Sequence, residues 1–136
     1  MTGRGILDTS TVVLLGRLRS EGLPEEPLIT AVTLAELSVG PLVATTRQER
    51  SARQAVLQHA EADFDPLPFD AEAARAFGRV AASLRAAGRR VVARGYDAMI
   101  AATAIANELP LYTLNPVDFS GIDGLDLRPV PHPGQT

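Results

Sequence analysis

The sequence contains no cysteine, no lysine and no tryptophan, and it has no long hydrophobic run. Without cysteine it cannot form a disulfide framework, a thiolate metal site or a cysteine nucleophile, which fits a reducing compartment, and the cytoplasm is the default expectation. No apolar stretch approaches the roughly 20 residues that cross a bilayer, and the first predicted strand begins too near Met1 for a signal peptide. We therefore expect a soluble, unexported protein with no membrane partner.

The remaining composition is that of a globular domain. Of the 136 residues, 46% are hydrophobic and 21% are charged, which is enough apolar sequence for one well-buried core. We expect a single domain over residues 1–130 and a flexible tail over residues 131–136. The net charge of -3 argues against broad, nonspecific attraction to nucleic acid. It does not exclude a local site, because a metal ion bound by acidic residues changes the potential around it.

Short apolar segments alternate with longer segments of helical periodicity. Helices are predicted from Ser10 to Gly22, around Val32 to Val39 before a stop at Gly40 and Pro41, from Thr46 to Ala62, from Asp70 to Gly88, and from Tyr96 or Asp97 to Asn107. Strands are predicted at Gly5 to Asp8, Leu28 to Thr30 and Leu111 to Thr113, with a brief strand or link at Asp65 to Phe69 and an edge strand within Leu125 to Val130. This order predicts a three-layer α/β/α sandwich around a short, mostly parallel central sheet.

Four acidic residues lie in small apolar or turn-forming surroundings: Asp8, Glu36, Asp97 and Asp118. A buried carboxylate needs a cation or hydrogen bonds to offset its loss of hydration. All 13 basic residues are arginine, and none lies within two positions of Asp8, Glu36 or Asp118. Ligands of open parallel sheets bind beyond the carboxyl ends of the strands, where Asp8, Asp97 and Asp118 would lie. Glu36 would join them if its helix leans inward. A divalent metal ion is the natural counter-charge.

Each acid also has an ordinary structural explanation. In this interpretation Glu36 closes a capping box with Thr33, and Asp97 is the N-cap of its helix. Asp118 lies in a sequence typical of turns. Asp8 is harder to explain in this way, because it ends a buried strand at the ligand-binding edge of the sheet.

Four segments together carry a resemblance to a known family: Leu7 to Ser10, Thr33 to Leu37 with Gly40 behind it, Asp97 to Thr103, and Thr113 to Phe119. In this order they resemble the PIN-domain ribonucleases, most closely the VapC toxins of bacterial toxin–antitoxin pairs. The resemblance spans nearly the whole chain. It implies a PIN-like fold and a metal-dependent endoribonuclease, the toxin of a type II pair, inhibited by a small VapB-like antitoxin.

The resemblance also implies roles for individual residues. Asp8, Glu36 and Asp97 correspond to the principal catalytic, metal-binding acids, and Asp118 to the fourth. Supporting polar side chains are expected at Thr9, Ser10, Thr113 and Asn115, and either Asn115 or Asp118 would reach the metal.

An all-carboxylate site suits Mg²⁺, with Mn²⁺ able to substitute, because hard cations take oxygen ligands. The two histidines, His59 and His132, lie outside the acidic segments. Without a metal, the neighbouring carboxylates would repel one another, and at least one would hold its proton near neutral pH. Whether one or two ions bind is left open.

Arg89, Arg90 and Arg94 closely precede Asp97 and are candidates for RNA binding, because arginine forms bidentate bonds to phosphate. A solvated surface is the alternative. A second arginine series, on the helix that begins near Thr46, most simply forms such a solvated face.

Two other functions compete with the nuclease. A phosphoaspartate enzyme using Asp8 is disfavoured, because the chain has no lysine and has Ser10 where haloacid-dehalogenase-like phosphatases need a second Asp. A catalytically silent module, whose acidic crevice docks a protein partner, is the other alternative. Metal titration separates it from the nuclease, since docking needs no Mg²⁺. A homodimer is expected in either case.

Overall fold

The computed structural model describes residues 3–134, and its centre is a four-stranded, fully parallel sheet. The strands are β1 (Arg4–Leu7), β2 (Glu26–Leu28), β3 (Leu111–Thr113) and β4 (Leu127–Pro129), in the order β2-β1-β3-β4. A single parallel bridge between Thr30 and Leu67 is all that forms from the brief strand predicted at residues 65–69. The end of the predicted tail, residues 135–136, lies outside the described residues, as do residues 1–2.

Helices cover both faces of the sheet, which confirms the predicted three-layer sandwich. They are α1 (Thr9–Val13), α2 (Ala31–Val43), α3 (Arg47–Asp63), α4 (Ala71–Ala86) and α5 (Gly95–Ala106). Successive side chains of β1 point to opposite faces of the sheet. Ile6 packs into the cluster that contains α5, and Leu7 packs into the cluster that contains α1, α2 and α3. Both side chains are fully buried, as expected of a strand between two helical layers.

The helix α5 is the central helix of its layer, as its apolar sequence predicts. Small side chains line it, and Ala98, Ala101, Ala102 and Ala104 are fully buried between the sheet and α4. Alanine allows close approach of neighbouring elements without any loss of helix propensity. The first turn of α5, which carries Asp97, is thereby held against the carboxyl edge of the sheet.

The first predicted helix is wrong in both its cap and its length. The N-cap is Asp8 rather than Ser10, because the Asp8 carboxylate accepts the Thr11 amide. The helix α1 ends at Val13, and two 3-10 turns, Leu15–Arg17 and Ser20–Gly22, replace its predicted continuation. Two adjacent β-branched valines and Gly16 give this segment little intrinsic helix preference. The chain after Val13 therefore forms short 3-10 turns rather than a continuous α-helix.

The predicted stop at Gly40 and Pro41 is also wrong, because α2 continues to Val43. Proline in the last turn removes one backbone hydrogen bond. The packing of α2 on α3 compensates for it: Pro41 is buried, and the Arg53 guanidinium donates to the Gly40 carbonyl at 2.9 Å.

Across residues 3–134, no helix combines the length and the apolar character that a bilayer crossing requires.

Candidate metal centre

The four acids predicted from the sequence face the carboxyl edge of the sheet from four different elements. Asp8 directly follows β1, and its amide donates to the Tyr112 carbonyl of β3 at 3.1 Å. Glu36 projects from α2, Asp97 from the first turn of α5, and Asp118 from a 3-10 turn (Pro116–Phe119) after β3. They are electrostatically coupled, because the charges of the other three all act on the Asp97 carboxyl.

Asp8 is the most enclosed of the four, with 4% of its surface exposed. Its Oδ1 accepts the Thr11 amide at 3.1 Å and the Thr11 hydroxyl at 2.5 Å, and its Oδ2 accepts the Thr113 hydroxyl at 2.6 Å. The Ser10 hydroxyl lies within 3.1 and 3.2 Å of the two oxygens. These donors hold the carboxylate in one orientation. Thr11 was not predicted as a site residue, although a residue three positions after an Asp is where an N-capping carboxylate finds its backbone donor.

Glu36 is held by a relay of two hydroxyls. Thr9 donates to Glu36 Oε1 at 2.6 Å, and Thr33 lies 3.0 Å from the Thr9 oxygen. Because the single hydroxyl proton of Thr9 goes to the carboxylate, Thr33 donates to Thr9. Burial raises the pKa of Glu36, the Thr9 hydrogen bond opposes that rise, and the charge of Asp8 adds to it. The capping-box explanation fails, since Thr30 caps α2 and accepts the Thr33 amide at 3.1 Å.

Asp97 has the most perturbed carboxyl in the site. Burial raises its pKa to about 6, with further contributions from Asp118, Glu36 and Asp8 and an opposing one from Arg94. Loss of hydration and nearby like charges both disfavour the ionised form. The N-cap explanation fails here too, because the cap of α5 is Arg94 and makes no side-chain hydrogen bond to the helix.

Asp118 is paired with an arginine. Its Oδ1 accepts Arg94 Nη1 at 2.9 Å, with 39% of the Asp118 side chain and 29% of the Arg94 side chain exposed. Asn115 instead joins the hydroxyl network around Asp8, since its Nδ2 donates to the Ser10 hydroxyl at 3.1 Å and its amide to the Thr113 hydroxyl at 2.9 Å. The two alternatives for the fourth ligand therefore occupy different surroundings.

The three candidate RNA-binding arginines line two different cavities. Arg94 lines an open cavity of about 420 Å³ together with Glu36 and Asp97. Arg89 and Arg90 line a different cavity, and the Arg89 guanidinium donates to the Ser120 hydroxyl. Arg94 is thus the member of this group that faces the acids.

The donor set fits a hard dication, but the carboxylates are not gathered around a single point. Within residues 3–134, no three Asp, Glu or His side chains already stand at ion-binding separations. Repulsion that raises a pKa acts over several ångströms, whereas Mg²⁺ needs oxygens at about 2.1 Å. The raised pKa of Asp97 and the wide spacing of the acids therefore describe an open site, whose side chains must move together to bind an ion. In the unliganded fold, Asp118 is held by Arg94.

Known proteins share this fold and sequence. The chain matches the PIN domain family over residues 6–125. It is 43% identical to Ribonuclease VapC5 of Mycobacterium tuberculosis over 123 residues, 88% of each chain. A crystal structure of VapBC-5 from the same species, a member of the VapBC family of toxin–antitoxin systems, superposes with a TM-score of 0.80 at 38% identity, covering 95% of this chain and 98% of that one.

A more distant structure supports the fold alone. VapBC2 from Rickettsia felis, bound to a DNA fragment from their promoter, superposes with a TM-score of 0.74 at 24% identity, over 93% of this chain and 98% of the other. The matched range of residues 6–125 contains all four acids at the sheet edge. With that range and the 43% identity to Ribonuclease VapC5, the chain belongs to the PIN-domain family, in its VapC group.

Proposed function

We propose that this protein is a metal-dependent endoribonuclease, the toxin of a type II toxin–antitoxin pair. The observation that carries the proposal is the Asp97 carboxyl, whose pKa is raised to about 6 by burial and by three other carboxylates beside an open cavity. Such an arrangement costs stability unless a cation neutralises it. A nuclease site built around Mg²⁺ or Mn²⁺ accounts for that cost.

Asp8, Glu36 and Asp97 would hold the first ion, and Asp118 would position a second ion or the attacking water. Bound Mg²⁺ would supply an activated water and neutralise charge on the scissile phosphate. The hydroxyls of Thr9, Ser10, Thr11 and Thr113 fix the first two carboxylates, so that less ordering is needed when ligands bind.

A VapB-like antitoxin is the proposed partner, on the basis of the identity to Ribonuclease VapC5 and the similarity to the VapBC-5 structure. An exposed apolar strip on α2, formed by Val39, Leu42 and Val43, offers it a docking surface. An amphipathic helix binds such a strip through its apolar face. If the acidic crevice only docked an arginine of this partner, the protein would be a silent binding module.

The decisive experiment is RNA cleavage by the purified, antitoxin-free protein with Mg²⁺ or Mn²⁺, and again with EDTA. We expect divalent-dependent cleavage that stops in EDTA. Asp97→Asn should lower the rate about 100-fold, the upper end of what loss of an outer-shell partner costs, because it removes the charge of a direct ligand among the coupled acids. Glu61→Gln, an exposed position on α3, is the matched control and should cleave normally.

Two results would contradict the proposal. Full cleavage in EDTA would exclude the metal mechanism. Tight antitoxin binding without any cleavage, in every divalent ion tried, would identify the silent docking module instead. If cleavage occurs as expected, sequencing the 5′ ends of the fragments would define the RNA cleaved.

A further inference from the structure

We infer that Arg94 is a positioning residue that exchanges partners, holding Asp118 until the acids bind a divalent cation and then binding a phosphate oxygen of the RNA. The inference rests on the proposed nuclease function and adds a residue and an order of events to it. Arg94 would not be a fixed surface contact but the element that links metal loading to substrate binding.

The geometry places Arg94 beside three of the four acids. It is the last residue of the 3-10 turn Val92–Arg94 and lies one helical turn before Asp97. Its guanidinium makes the 2.9 Å contact with Asp118 and lines the same cavity as Glu36 and Asp97. Partial exposure of both side chains leaves solvent-filled space into which the guanidinium can turn.

A divalent cation and the guanidinium compete for the same carboxylate. Arginine keeps its charge under all ordinary conditions, so the repulsion between the two cations cannot be relieved by deprotonation. It is relieved when Arg94 moves away from Asp118. This competition is also consistent with the open arrangement of the site, in which no three acids among residues 3–134 already converge on a point.

Phosphate is the partner that suits a released guanidinium in this cavity. The planar N–H donors of the guanidinium match two phosphate oxygens, and the phosphodiester must lie next to the acids to be cleaved. The neighbouring Arg89 is engaged with Ser120 at another cavity. Since the chain has no lysine, Arg94 is the cation best placed to orient the substrate at this edge.

Thermodynamic linkage makes the exchange measurable. If Arg94 competes with the ion for Asp118, removing its charge must tighten metal binding, and loading the metal must make Arg94 available to RNA. A fixed salt bridge also predicts tighter metal binding once the charge is lost, because Arg94 repels the ion from where it stands, but it predicts no metal-dependent RNA contact. A permanent RNA contact predicts an equal loss of RNA binding with and without the metal.

The test compares wild type, Arg94→Gln and Arg94→Lys, with Arg79→Gln on the exposed face of α4 as the control. Mn²⁺ affinity without RNA is measured by isothermal titration calorimetry. Arg94→Gln should bind Mn²⁺ about 5- to 10-fold more tightly, at the low end of typical coupling between sites because both side chains are partly exposed. Arg94→Lys keeps the charge and should stay near wild type, as should Arg79→Gln.

RNA affinity is then measured by fluorescence anisotropy against salt concentration, with and without Ca²⁺, and the RNA is checked for integrity afterwards. With Ca²⁺, Arg94→Gln should flatten the log–log salt dependence by about 0.7, the slope lost with one single-strand phosphate contact. Without Ca²⁺, the slopes of variant and wild type should coincide, because Arg94 is then held by Asp118.

Unchanged Mn²⁺ affinity in Arg94→Gln would overturn the exchange, as would an equal loss of slope with and without Ca²⁺. In both cases wild type would still bind Mn²⁺ and cleave RNA, so the nuclease proposal would survive. If wild type binds no Mn²⁺, both proposals are overturned together.

Discussion

The two halves of the candidate site differ in how their carboxylates are held. Asp8 and Glu36 are held by neutral hydroxyls from α1 and β3. Asp97 lines the open cavity and, among residues 3–134, makes no hydrogen bond of this kind, so that burial and then repulsion raise its pKa, and the partly exposed Asp118 pairs with a charged residue, Arg94. The first half is part of the folded framework, whereas the second half remains available for an ion and a substrate.

This difference predicts opposite responses to mutation. Hydrogen bonds to a buried carboxylate stabilise the fold, so their loss should be costly even without any ligand. A carboxylate that lies among like charges at an open edge without a strong pair destabilises the unliganded fold, so removing Asp97 should help stability while abolishing function. Unfolding in EDTA isolates the contribution of the protein from that of bound metal.

Asp8→Ala should have the largest effect. It removes the N-cap of α1 and leaves the buried Thr11 and Thr113 hydroxyls without their acceptor. A lost cap costs about 1 kcal/mol and an unsatisfied buried group about 1–3 kcal/mol, so we expect a loss of roughly 3 kcal/mol. Urea denaturation in EDTA measures this loss.

The comparison variant, Asp118→Ala, should lose less than about 1 kcal/mol, since its partner Arg94 remains partly hydrated. Equal losses would contradict the division into two halves.

Asp97→Asn should instead raise the free energy of unfolding of the metal-free protein. The pKa of Asp97 is about 6 in the folded chain and 3.8 as the ordinary value, so the folded state binds its proton more tightly. The stability of wild type therefore falls as the pH rises from about 4 to 6, while the variant lacks this loss.

At pH 7 in EDTA, Asp97→Asn should be more stable than wild type by about 1 kcal/mol. The full shift would correspond to nearly 3 kcal/mol at about 1.4 kcal/mol per pKa unit, and solvent screening of a partly exposed group reduces it. Near pH 4 the two proteins should unfold at similar denaturant concentrations. A variant that is less stable than wild type at pH 7 would show that Asp97 has a favourable partner in the unliganded fold.

Much of the fold follows from local sequence signals. Thr46 and Asp70 cap α3 and α4 as predicted, and the bounds of β3 are the predicted ones. The errors occur where tertiary packing overrides the local signal. Asp8 replaced Ser10 as a cap because its carboxylate also receives hydroxyls from β3, and α2 passes Pro41 because α3 supports its end.

The site could be predicted in outline but not in its contacts. The rule for parallel sheets brings Asp8, Asp97 and Asp118 to one edge without any knowledge of the structure, whereas Glu36 needs the further assumption that its helix leans inward. The Thr33 to Thr9 relay and the Arg94–Asp118 pair each join residues 24 positions apart, on elements whose relative placement no local pattern specifies. Sequence therefore indicates which residues meet at the edge, while packing determines which hydroxyl or arginine each carboxylate finds.

Thr33→Val should have the smallest effect and tests how far the hydroxyl framework extends. Thr33 is fully buried and reaches Glu36 only through Thr9, whose own hydrogen bond to the carboxylate survives the change. We expect a loss of about 0.5–1 kcal/mol in urea denaturation, the usual net value of one hydrogen bond, and little change in Mn²⁺ affinity. Thr33→Ser keeps the hydroxyl and serves as the control for its Mn²⁺ affinity. If Thr33→Val instead weakened Mn²⁺ binding strongly, the relay itself would orient Glu36, and the rigid half of the site would extend one hydrogen bond further from the metal than its direct contacts indicate.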